Sequence, residues 1–101
     1  MAKKGSIETN EKRKRLVVRY KDKRADLKKL ASDKTLSPAE RFTATLKLAE
    51  MPRGGSKVRV RNRCMLTGRS RGNYRKFGLS RIMIREMGSH GLIPGLKKAS
   101  W

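Results

Sequence analysis

The sequence predicts a mainly α fold: extended basic N-terminal helices, then a small irregular ribbon-like C-terminal module with a short strand and a short last helix. Three observations carry this reading. Residues 11–31 contain neither Pro nor Gly and are rich in Lys, Arg, Leu and Ala, all good helix formers. Ser37-Pro38-Ala39-Glu40 is a helix start, with a side-chain acceptor at the cap, Pro at the first helical position and Glu three residues after the cap. Beyond Met51 glycine and proline recur too often for another long helix. The 101 residues make at most one domain, divided into a helical extension (1–51) and a C-terminal module (52–101).

Taken in order, residues 1–10 read as a mobile basic arm. The first helix runs from Glu11 to about Ala31, with Leu16, Tyr20, Leu27 and Ala31 on one face and charge elsewhere. Such a stripe rests on a neighbouring helix or a partner protein. The second helix follows the Ser37 cap and carries Ala39, Phe42, Leu46 and Ala49 at helical spacing, which makes Phe42 the expected anchor against the first helix. A short connection at Asp33–Leu36 makes the two an antiparallel hairpin or a bent pair. Met51-Pro52-Arg53-Gly54-Gly55-Ser56 reads as a hinge. Lys57-Val58-Arg59-Val60-Arg61 alternates charged and apolar residues, the pattern of a short strand with valines inward. Thr67-Gly68 and Arg71-Gly72 read as turns. Ser80 caps a last helix over Arg81–Met87 with Gly88 just past its end, Ile82 and Met83 packing back on the loop. The tail ends in Trp101, an aromatic anchor for a pocket or for the tail itself.

The charge is the strongest functional signal. Lys and Arg number 28 against 8 Asp and Glu, a net +20. Residues 52–101 carry thirteen basic residues and one acidic, Glu86. Only 36% of the chain is apolar, so little burial is available against a backbone entropy cost of about 1–2 kcal/mol per residue, and the cations repel one another in a compact state. The free chain is therefore expected to be partly ordered, with a polyanion completing its fold. No apolar run approaches the roughly 20 residues that span a bilayer, and the start MAKKGSIETNEKRKR has no signal-peptide core. A single cysteine, Cys64, gives no disulfide framework and fits a reducing compartment.

From Arg61 to Arg85 the chain holds eight cations and no acid: Arg61, Arg63, Arg69, Arg71, Arg75, Lys76, Arg81 and Arg85. Gly68, Gly72 and Gly78 punctuate it, and Tyr74 and Phe77 sit among the charges. Arginine makes planar bidentate contacts to phosphate, glycine lets the main chain approach closely, and aromatic faces stack on unpaired bases. The stretch is read as a surface for folded RNA. Removing Arg69, Arg71 and Arg75 together is then expected to weaken RNA binding and flatten its salt dependence.

Cys64, Thr67, Ser80 and Met83 have the x2, x12, x2 spacing of a four-cysteine zinc ribbon. Only the first is a cysteine, and Ser and Thr hydroxyls do not lose their protons to zinc at neutral pH. His90, the sole histidine, stands apart. No zinc is expected.

The runs Arg61-Asn62-Arg63-Cys64, Thr67-Gly68-Arg69, Arg71-Gly72, Tyr74-Arg75-Lys76-Phe77 and Leu79-Ser80-Arg81 through Arg85 resemble the signature of small-subunit ribosomal protein fourteen. Gly91-Leu92-Ile93-Pro94-Gly95 and Ala99-Ser100-Trp101 look like that family's tail. The longer first two-thirds resemble the full-length, zinc-free bacterial form rather than the short form that holds zinc through four cysteines. The resemblance implies a structural constituent of the small ribosomal subunit, on a cytoplasmic bacterial ribosome or an organellar one. It implies binding to the 3′ domain of small-subunit rRNA in the subunit head, on the aminoacyl-tRNA side of the decoding region. Small-subunit proteins three, ten and nineteen are the implied neighbours. The eight cations above carry over as RNA contacts, and Tyr74 and Phe77 as stacking or packing groups. No cofactor, small-molecule substrate, membrane or homo-oligomer is implied.

Two other classes compete. A DNA-binding protein would share the charge, but the sequence offers no helix-turn-helix and no symmetric dimer element, and irregular loops suit folded RNA better than a regular groove. A nuclease would need clustered carboxylates, yet none falls between Arg53 and Arg85.

Overall fold

The computed structural model describes residues 2–99. Its helices are α1 (Lys4–Ser32), α2 (Pro38–Glu50) and α3 (Arg81–Ser89); two-residue strands β1 (Asn73–Tyr74) and β2 (Leu79–Ser80) form one antiparallel pair. The mainly helical expectation, with its small irregular C-terminal part, holds. Contacts divide the described residues into two units, 9–60 and 2–8 with 61–99.

In the first unit, Leu16, Tyr20, Leu27 and Ala31 of α1 turn inward as their spacing predicts. The Ser37 hydroxyl accepts the Glu40 N–H at 3.4 Å, and Pro38 opens α2. Between the helices Asp33 Oδ1 accepts the Thr35 N–H (2.9 Å) and hydroxyl (2.7 Å), a local turn that stops α1. Tyr20 and Leu27 border one groove with Lys47 and Met51, so α2 runs back along α1. The inward face of α2 is not the predicted one. Arg41, Ala44, Leu48 and Met51 turn in, whereas Phe42 is 64% exposed and Leu46 49%. Helical spacing alone fits either face. Arg41 decides between them, because its Nε donates to the Ala31 carbonyl at the end of α1 (3.3 Å) and so sets the rotation of α2. Phe42, one residue and about 100° further round, faces out.

Residues 51–60 also depart from expectation. Met51 is buried, and Gly54 and Gly55 lie against Leu16 and Tyr20; a Cβ on Gly55 would stand 3.3 Å from the tyrosine ring. The strand expected at Lys57–Arg61 is absent. Arg53–Gly55 and Lys57–Arg59 are 3-10 turns, and Val58 is 90% exposed. An extended segment here has no neighbouring strand to bond. The turn satisfies the backbone locally instead, with Val60 N–H donating to the Lys57 carbonyl at 3.2 Å.

In the second unit, the first residues are not the mobile arm that the sequence suggests. Helix α1 starts at Lys4, and residues 2–8 pack on the C-terminal segment. Ala2 N–H donates to the Thr67 carbonyl (3.4 Å), and Ile7 lies over Gly68. Residues 64–69 form a tight knuckle: Gly68 N–H bonds the Cys64 carbonyl and Cys64 N–H the Arg69 carbonyl, both at 2.9 Å. Gly68 sits at φ +73°, in the left-handed region that suits glycine. Strand β1 then pairs with β2, Asn73 opposite Ser80 and Tyr74 opposite Leu79.

Ser80, 1% exposed, caps α3 by accepting the Met83 N–H at 3.3 Å. The helix continues through Gly88, where the sequence reading ends it, because Gly88 serves packing: a Cβ there would meet Leu96 Cδ2 at 2.7 Å. Gly91, at φ +66°, provides the left-handed residue just beyond the His90 cap. Ile82 is half exposed rather than packed back; Met83, Ile84 and Met87 form the inner face. Trp101 lies outside the described residues.

Candidate nucleic-acid interface

The cations of the 61–85 stretch fall into two groups. Arg61, Arg71, Arg75, Lys76, Arg81 and Arg85 are exposed. Arg63 and Arg69 are half-buried and occupied with the backbone: Arg63 Nη1 donates to the Gly68 carbonyl (2.8 Å) and Arg69 Nε to the Arg71 carbonyl (3.0 Å). These two brace the knuckle and the turn after it. No carboxylate of the described residues pairs with Arg71, Arg75, Arg81 or Arg85. No group of the described residues neutralises their charge.

The hairpin places the aromatics unequally. Tyr74, in β1, is 55% exposed. Phe77, in the turn between the strands, is half-buried, with Lys76 Nζ 5.7 Å from its ring centre. Tyr74 therefore has a face to offer, and Phe77 mostly packs. Asn73 escaped the sequence reading. Its Nδ2 donates to the Asn62 (3.0 Å) and Arg69 (2.7 Å) carbonyls, tying the hairpin to the knuckle. Lys97 and Lys98 also escaped it, although a basic pair in a turn-rich tail was visible. They border one cavity with Tyr74, Arg81 and Arg85.

Of the other three ribbon-spaced positions, Thr67 and Ser80 converge on Cys64, which is 3% exposed. Burial pushes its thiol up, but the Thr67 hydroxyl and the N–H groups of Thr67, Ser80 and Leu66 stabilise the thiolate more, and the pKa falls from 9.0 to about 6. Met83 joins through its N–H bond to Ser80. One thiol, two hydroxyls engaged in hydrogen bonds and a thioether do not fit a zinc ion, which takes thiolate, imidazole or carboxylate ligands. Hydrogen bonds hold the knuckle together where a metal would. A folded pKa below the unfolded one means the thiolate stabilises the fold fully above pH 9 and loses that contribution as pH falls to about 6. Unfolding measured across this window should show stability rising with pH, and Cys64→Ser should flatten the rise. A slope that survives the substitution would assign it to another group.

A glycine-turned scaffold that turns unpaired arginines outward defines a small, highly basic structural protein. The family model described as Ribosomal protein S14p/S29e matches residues 47–100. Over all 101 residues, and over the full length of each relative, the chain is 59% identical to the small ribosomal subunit protein uS14 of Xanthobacter autotrophicus and to that of Rhodospirillum centenum. Identity to the uS14 protein of Bradyrhizobium diazoefficiens is 61% over the same span. The chain belongs to the uS14 family of small-subunit ribosomal proteins: it is a structural constituent of the ribosome and not an enzyme. No helix of the described residues is long and apolar enough to cross a membrane.

Proposed function

We infer that the chain binds the 3′ domain of small-subunit rRNA, helps assemble the head of the subunit and shapes the aminoacyl-tRNA side of the decoding region in the cytoplasm. The observation that carries this reading is the set of exposed, carboxylate-free cations around Tyr74: Arg71, Arg75, Lys76, Arg81 and Arg85. Phosphates displace counterions from such a surface, and an irregular backbone follows folded RNA better than a uniform groove. The outward Phe42 and Leu46 on α2 support docking against a protein neighbour, for which small-subunit proteins three, ten and nineteen are the proposed set. The protein works without zinc, and RNA completes its fold.

Circular dichroism of the free protein and of its mixture with 3′-domain rRNA, across a salt series, tests this. Helix should be gained on mixing and lost again at high salt. A free protein already fully helical and indifferent to the RNA would overturn both the binding and the coupled folding. Competition with duplex DNA should leave the RNA complex intact; equal competition would favour a general polyanion binder.

A further inference from the structure

We propose that the C-terminal tail completes a pocket for one unstacked nucleotide of RNA, with the base on Tyr74 and the flanking phosphates on Arg81, Arg85, Lys97 and Lys98. The inference rests on the RNA-binding reading and narrows it to a site. After α3 the chain turns at Gly91 and returns, and the Leu96 side chain seats on Gly88. This seat needs glycine, since a Cβ would stand 2.7 Å from Leu96 Cδ2. Once seated, the tail brings Lys97 and Lys98 beside Arg81 and Arg85, which lie four residues apart on α3. Lys98 Nζ is further held by the Ser89 hydroxyl.

The cavity so formed is about 440 Å³, open to solvent, and bordered by the half-exposed ring of Tyr74. Ile84 and Leu96 provide an apolar wall, and no carboxylate of the described residues lines it. Each part matches one part of a nucleotide: a flat ring for the base, an apolar wall for the sugar edge, four cations for phosphate. A duplex cannot present a base this way without unstacking it. The pocket should therefore favour single strands, bulges and loops.

The test uses the full chain and three probes: oligouridylate, oligoadenylate and an RNA duplex of equal length, with affinity read by fluorescence anisotropy. Tyr74→Leu should weaken binding of both single strands by about 5- to 150-fold, the range expected for removal of one base stack, leaving their salt slope and the duplex affinity unchanged. Lys97→Ala with Lys98→Ala should lower the single-strand slope by about 1.4, near 0.7 per phosphate. Gly88→Val, which unseats the tail, should do both. The proposal is overturned if Tyr74→Leu leaves single-strand binding unchanged or weakens the duplex equally. Wild-type protein that binds none of the three probes would instead strike at the RNA reading itself. Should Gly88→Val fail to fold, the tyrosine and lysine variants still decide.

Discussion

Replacing Arg71, Arg75 and Arg85 together by alanine should reduce the slope of log affinity against log salt for 3′-domain rRNA by about 2–3, near 0.7–0.9 for each phosphate that is no longer neutralised. At low salt the same variant should bind on the order of a hundredfold more weakly, from roughly 1 kcal/mol per arginine–phosphate pair, and the gap should close as salt rises. These three guanidinium groups are exposed, and none pairs with a carboxylate of the described residues. Arg85 replaces Arg69 in the set that sequence alone suggests, because Arg69 is half-buried with its Nε on the Arg71 carbonyl. Arg63→Ala supplies the contrast. Its Nη1 holds the Gly68 carbonyl, so it should lower stability and leave the slope nearly unchanged. A triple variant with the wild-type slope would mean that these side chains do not touch phosphate.

Gly68→Ala should be the most damaging single methyl in the chain, costing about 2–5 kcal/mol. The left-handed backbone at φ +73° costs a side-chain residue roughly 1–2 kcal/mol, and overpacking adds about 1–3. The new Cβ would meet Ile7 Cδ1 at 2.6 Å and Ala2 Cβ at 3.2 Å. Gly91→Ala isolates the first contribution: its φ is +66°, but nothing lies within 4 Å of the Cβ position. Chemical unfolding of the two variants should separate them by the packing cost. If the unit completes its fold only on RNA, the same energy appears as weaker binding, tenfold for each 1.4 kcal/mol. Equal losses at the two glycines would mean that Ile7 moves aside freely.

What the sequence revealed follows the range of the interactions involved. The Ser37 and Ser80 caps were legible because a cap is decided within three residues. The inward face of α1 was legible because Leu16, Tyr20, Leu27 and Ala31 recur at helical spacing, whereas the exposed Val18 stands alone among charges on the other side. The face of α2 was not, since Phe42–Leu46 and Ala44–Leu48 have equivalent spacing and Arg41, reaching ten residues back, chooses between them. Val58 and Val60 carry a strand pattern that means nothing without a partner strand. The β1–β2 hairpin is too short to show alternation, and Asn73, which anchors it, has no periodic signature. At the interface, the excess of cations was plain from composition. Which of them brace the fold depends on carbonyls brought near by the Gly68 turn, and that geometry is visible only once the chain is folded.

The packing of Ala2 and Ile7 against Thr67 and Gly68 also sets a timetable. A chain is made from its amino end, so these first residues emerge about 60 positions before the surface that receives them. Until then Ile7 has no seat, and the knuckle must later close a long loop to capture it, at an entropy cost that grows with the logarithm of loop length. Helix α2 and its approach to α1 need only local closure and can form during that wait. The C-terminal unit is accordingly the late step of maturation. A bulky fusion at the amino end would burden that step most, although it lies at the far end of the sequence from most of the residues it would disturb.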